Sequence, residues 1–212
     1  MVAHEYAHGY VAFRNGDPTA YQLGRLTWNP VKHIDPFMTI LLPILMYVST
    51  HGAVVLGGAK PVPVNPRNYR NFRRGDIAVS LAGVVTNLLI ALILVPVIVT
   101  IGLIGRAAPA ATETLSVFQV MFRWGIVINL MLAAFNLIPI PPLDGSHVVK
   151  YLLPPAWGLA YQRIGRFGLL ILIILLSFGG GLLRLWLTPV FFLANAADHV
   201  IFPFILPSQW TM

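Results

Sequence analysis

The 212-residue chain has no cysteine. That excludes a disulfide framework and any thiolate metal site, so a transition metal held here must use His, Asp or Glu. Charge is scarce as well: 10% of residues are Asp, Glu, Lys or Arg, against about 25% in a soluble domain. Acid is the scarcer sign, with 7 Asp and Glu against 14 Lys and Arg. With 57% hydrophobic residues and a mean hydropathy of +0.77, lipid rather than water is the expected main solvent. No basic stripe carries base-stacking aromatics. The net charge of +7 therefore reads as membrane topology and anionic headgroups, with no nucleic-acid partner. No cleavable signal peptide is expected, because His4, Glu5 and His8 fall where an unbroken apolar core would be.

What is present is a series of apolar runs. Residues 1–13 read as the end of a helix, stopped by the turn-forming sequence RNGDP at 14–18. It is too short to span, since about 20 residues are needed. Residues 19–36 are polar and irregular, with room for short β-strands on the cytoplasmic side. Residues 37–58 are apolar but interrupted at Pro43, at 49–52 and at Gly57 and Gly58. Residues 59–76 form a Pro-rich basic loop. Membrane helices are expected over 77–105 and 116–138, joined by a loop at 106–115. A short helix over 143–153 follows, closed by Pro154 and Pro155. Residues 165–187 read as a further span and 188–212 as an interfacial tail. The fold expected is one all-α membrane domain over 1–212, a polytopic helical bundle with a re-entrant or irregular segment.

Charge orients these pieces. Segments 14–36, 59–76 and 143–166 carry most of the Lys and Arg, so the positive-inside rule places them in the cytoplasm and 106–115 outside. Stretch 37–58 has basic flanks at both ends. It is expected to dip into the membrane and return, which is tolerated where protein or water covers the backbone.

The chemistry concentrates in two places. His4-Glu5-Tyr6-Ala7-His8 is an H-E-x-x-H motif. On a helix the two imidazoles share a face and can bind one metal, with Glu5 able to reach a water on that metal. Ionisable groups inside lipid are costly and mark function. A catalytic zinc takes three protein ligands, and the acidic residues available are Asp17, Asp35, Asp76, Glu113, Asp144 and Asp198. Asp144 stands out in the sequence NLIPIPPLDG over 136–145, where prolines prevent a regular helix and Gly145 permits a tight turn. Two other readings remain: Asp144 as an N-cap of the helix that follows, and His147 as a rival ligand.

With these motifs in hand, the chain resembles the site-2 protease family of intramembrane zinc metalloproteases, in its compact single-domain prokaryotic branch. The resemblance extends to GRLTWNPVKHIDP at 24–36 and AKPVPVNPRN at 59–68, and covers most of residues 3–153. It implies His4, His8 and Asp144 as ligands of one zinc ion, Glu5 as the catalytic acid–base, and a transmembrane protein as substrate. It also implies more membrane sequence before the H-E-x-x-H than the three residues here, so the first helix reads as N-terminally short. Family members often carry A-G-P before an Asn in the next core helix, where this chain reads AGVVTN over 82–87.

Asn87 and Asn136 are polar groups in apolar helices. They are candidates for substrate-backbone hydrogen bonding or oxyanion support, with interhelical hydrogen bonding as the plainer alternative. The site is expected near the cytoplasmic face of the cell membrane. Two rival functions stand beside proteolysis. A metal-binding transporter would move ions in sealed vesicles without needing Glu5, and a membrane scaffold with a dead site would cleave nothing.

Overall fold

The structure, a computed structural model, describes residues 1–52, 55 and 57–207. It contains helices and no strand among those residues. They form two compact units, one of Met1–Thr86 with Leu137–Gly179, the other of Asn87–Asn136 with the chain from Gly180 onward.

The first unit opens with α1 (Val2–Arg14) and a single turn, α2 (Thr19–Gln22). The short strands expected over 19–36 do not form. Side chains bind the backbone amides that a strand ladder would use. Asp17 accepts from the Thr19 amide, Asn29 from the Val31 amide, and Asp35 from the amides of Phe37 and Met38. Each of these starts a turn, the second and third being the 3-10 turn Pro30–His33 and the π-helical turn Pro36–Leu41.

The π-helical turn runs into α3 (Leu42–Ser49), so Pro36–Ser49 is one apolar helical piece. At about 1.5 Å per residue, 14 residues reach only about 21 Å, short of a bilayer core of about 30 Å. The chain then comes back to its start. The Gly58 amide donates to Met38 O at 2.9 Å, Thr39 Oγ1 donates to Gly58 O at 2.7 Å, and the Lys60 amide donates to His33 O at 2.8 Å. The two ends of stretch 37–58 thus meet, as the expected re-entrant path requires. Residues 53, 54 and 56 of that stretch lie outside the described residues.

The long helix α4 (Phe72–Ala107) starts five residues before the expected boundary, because Asn71 caps it by accepting from the Arg74 amide at 3.0 Å. α5 (Thr112–Asn136) follows. α6 (Asp144–Val149), α7 (Pro155–Arg163) and α8 (Gly168–Phe178) complete the first unit. α9 (Gly180–Ile201) belongs to the second. The span expected over 165–187 breaks at Gly179, within a run of three glycines, the weakest helix formers after proline. The boundary expected at 188 falls inside α9. Gly180–Phe204 is long and apolar enough to cross a membrane, as are Phe72–Ala107, Pro109–Asn136 and Pro155–Phe178. The end of the expected tail, 208–212, lies outside the described residues.

In the second unit, Ala91 and Ile98 of α4, Ile126 and Leu130 of α5, and Val190 and Ile201 of α9 form the buried core. Leu92, Trp124 and Phe192 are exposed, a surface suited to lipid. Arg123 pairs with Asp198 at 3.1 Å, which accounts for an acid inside an apolar helix.

Candidate metal centre

The site lies wholly within the first unit. α1 carries His4 and His8 one turn apart, with ring centroids separated by 4.6 Å and planes nearly perpendicular at 83°. Their Nε2 atoms are 3.0 Å apart, and Asp144 Oδ2 lies 3.4 Å from each. Four ligands at about 2.0 Å in a tetrahedron would be about 3.3 Å apart, so this triangle has the dimensions of three corners of a zinc site. Among the described residues, these three form the group of metal-ligating side chains whose donor atoms lie within 4.8 Å of one another.

His8 is held from behind. His8 Nδ1 lies 2.6 Å from Val79 O. A proton on Nδ1 satisfies that carbonyl and leaves Nε2 as an acceptor for a cation, the usual support for a metal-bound histidine. Asp144 sits in the first turn of α6, with Leu143 in the cap position. Its Oδ2 is buried and has no hydrogen-bond donor, so the N-cap reading does not account for it. Burial by itself raises the Asp144 carboxyl pKa; where the two imidazoles are protonated, their hydrogen bonds and charge outweigh it and hold the pKa at about 2. The group is an anion at neutral pH, as a ligand requires.

Two glycines make the approach possible. A Cβ on Gly83 of α4 would lie 2.5 Å from His8 Nε2 and against the His4 ring. A Cβ on Gly145 would strike Leu137 O, so only glycine lets α6 close on the segment that follows α5. The part played by Gly83 is not evident in the sequence; a glycine inside an apolar helix, where it costs about 1 kcal/mol against alanine, was the available signal.

Glu5 is 9% exposed, and its Oε2 accepts a hydrogen bond from the Val62 amide at 2.8 Å. His147 is engaged elsewhere. Its Nδ1 lies 3.3 Å from Asp76 Oδ1, and Asp76 also takes the Lys150 ammonium and, at 2.9 Å, the Tyr151 hydroxyl. This cluster ties the start of α4 to α6, the helix that presents Asp144. Of the remaining acids, Asp17 accepts from the Asn65 amide at 2.6 Å and Asn68 Nδ2 at 2.8 Å, and Asp35 caps its turn. Asn87 and Asn136 belong to the second unit. Asn87 is buried, and Asn136 donates to Leu132 O of its own helix at 2.9 Å.

Helices of membrane length, with an H-E-x-x-H turn meeting a third donor, mark the class of membrane-embedded metallopeptidases. The family comparison is specific: the model for peptidase family M50 matches residues 1–178, and the chain belongs to that family, the site-2 protease family of intramembrane zinc metalloproteases. It is 38% identical over 183 residues to a Bacillus subtilis (strain 168) protein provisionally named zinc metalloprotease YwhC, covering 86% of this chain and 78% of that one. It is 30% identical over 176 residues to a protein of Mycolicibacterium smegmatis provisionally named zinc metalloprotease Rip2, covering 83% of this chain. The similarly named Mycobacterium tuberculosis (H37Rv) protein is 30% identical over 180 residues, covering 82% of this chain. The chain spans 62% of the length of each of these two Rip2 proteins. No solved structure matches it significantly.

Proposed function

We propose that this chain hydrolyses a peptide bond within or near a transmembrane helix of a membrane-protein substrate, with His4, His8 and Asp144 holding one zinc ion and Glu5 as acid–base. The convergence of the three donors, 3.0 to 3.4 Å apart, carries the reading. Bound zinc would polarise the scissile carbonyl and make its water more acidic. The protein supplies the rest. Val79 O orients His8 through Nδ1. Glu5 takes a proton from the attacking water and delivers it to the leaving amine. A helical substrate hides its carbonyls in its own hydrogen bonds, so it must unwind locally to be cut. Asn136 and Asn87 are assigned to substrate-backbone or oxyanion support on their place in the sequence, Asn136 within the NLIPIPPLDG motif and Asn87 after Gly83 on α4.

The decisive pair of variants separates metal from proton transfer. Glu5→Gln retains about one zinc per chain and loses cleavage, because the amide cannot accept the proton. Asp144→Ala loses zinc. Transport without a need for Glu5, or full zinc in Asp144→Ala, would defeat the assignment.

The site is placed near the cytoplasmic face of the cell membrane. The basic segments 14–36, 59–76 and 143–166 support this by the positive-inside rule. Single cysteines at Thr27 and Asn68, in a chain with none of its own, should both label from the cytoplasmic side with an impermeant thiol reagent; labelling of both from outside would refute the placement, and labelling from opposite sides would refute the re-entrant path of stretch 37–58.

A further inference from the structure

Backbone donors are few in segment 59–66, which reads AKPVPVNP. Proline has no N–H, so Pro61, Pro63 and Pro66 donate nothing. Three of the amides that remain go to particular acceptors. Lys60 N–H donates to His33 O at 2.8 Å, Val62 N–H to Glu5 Oε2 at 2.8 Å, and Asn65 N–H to Asp17 Oδ2 at 2.6 Å. Arg25 reaches Lys60 O at 3.0 Å, and the Arg70 amide donates to Asn15 O at 2.8 Å. The Val62 side chain is buried over Gly9, where an added Cβ would lie 2.9 Å from its Cγ1. The segment is therefore a strap laid along α1. It is pinned on either side of Val62, and its middle donor is on Glu5.

We propose that the Val62 backbone N–H is a positioning group for Glu5, holding Oε2 so that the carboxylate keeps a single orientation beside His4 and His8. This rests on Glu5 being the acid–base. A Glu side chain turns about three torsions, and a buried carboxylate needs a donor. A charge-assisted amide bond meets both requirements. The flanking prolines restrict the backbone on either side of that N–H, so little ordering is left to be done. They also withdraw the neighbouring amides that would compete for the same oxygen. The role belongs to the backbone, and the valine side chain serves to seat it.

The test replaces the Val62 amide by an ester, using the α-hydroxy analogue of valine, and leaves the side chain intact. The expected result is unchanged zinc content and KM, with kcat lowered about 10- to 100-fold, the scale of a misplaced catalytic group. Val62→Ala keeps the N–H, and its kcat should exceed that of the ester by about fivefold or more. A second readout does not use activity. In protein labelled with 15N-valine, the Val62 amide should exchange slowly with solvent, and Glu5→Ala should speed that exchange about tenfold or more. An ester variant with wild-type kcat, one that loses zinc along with activity, or Val62 exchange indifferent to Glu5→Ala would overturn the proposal. Failure of the acid–base reading looks different: Glu5→Gln would itself cleave. Failure of positioning alone leaves Glu5→Gln inactive and the ester variant active.

Discussion

Gln119 and Asp144 are both polar side chains largely withdrawn from solvent in a chain built mainly for lipid, and they dispose of their polarity in opposite ways. Gln119, in the second unit, closes its account locally. Its Nε2 donates to Ile98 O and Phe204 O, both at 3.0 Å, and its Oε1 accepts the Leu206 amide at 2.9 Å. It fastens segment 202–206 back onto the helices by satisfying backbone groups that would otherwise be buried alone. Asp144, in the first unit, presents a buried Oδ2 with no donor to two imidazole nitrogens. A closed amide network holds structure; three donors converging on one point are arranged as a cation would need them. The same contrast separates Asp144 from Asp76, whose partners Lys150 and Tyr151 bring hydrogens with them.

Substitutions can break this contrast from either side. The largest effect is expected at Gly83. Gly83→Ala drives a methyl group between the imidazoles and should cut zinc content sharply and cleavage by about 100-fold, with helix content by circular dichroism unchanged. Retained zinc would mean that the rings have another place to go. Next comes Gln119→Leu, which keeps volume and removes the amide. It should destabilise the protein by about 1–3 kcal/mol, because the Phe204 carbonyl and the Leu206 amide lose their bond to Gln119, while the folded fraction keeps its full zinc. Zinc loss there would erase the distinction between the two kinds of polar cluster.

The smallest effect concerns Asp17. Burial would raise its carboxyl pKa, but the Asn65 amide, Thr19 and Asn68 outweigh it and hold the pKa below 3.8. A carboxyl whose folded pKa is depressed contributes stability that is fully present above its unfolded pKa. That contribution is lost as pH falls through the lower folded value. Asp17→Asn should therefore lower Tm by roughly 2–5 °C at pH 7, and the gap from wild type should narrow as pH drops below 3.8. A gap that widens in acid would show that Asp17 is not the anion fastening the strap.

Much of the site was legible because its chemistry is encoded locally. His4 and His8 are four residues apart, and any helix puts them on one face. Asp144 was singled out by prolines that forbid a helix before it and by the lack of thiolates and the small number of acids. The irregular stretch 37–58 was legible from its interruptions and from the basic residues at both ends. Helix limits were less so. Asn71 extends α4 backward through one side-chain hydrogen bond, and Gly179 splits a run that hydropathy alone reads as continuous. The strands expected over 19–36 failed because Asp17, Asn29 and Asp35 turn their side chains onto nearby amides, a choice that polar composition does not reveal.

By itself the sequence determined that lipid is the solvent, that no thiolate binds metal, and that one helical turn carries two imidazoles and a carboxylate. These follow from composition and from the 3.6-residue period. Only the tertiary structure decided that Asp144, and not the rival His147, meets those imidazoles, that Gly83 is the gap through which α4 passes them, that His147 is tied to Asp76, and that a proline-spaced strap sets one amide on Glu5. Those facts join residues 57 to 140 positions apart in the chain. Such distant contacts are selected by packing and by the need to pair every buried polar group, which no local pattern encodes.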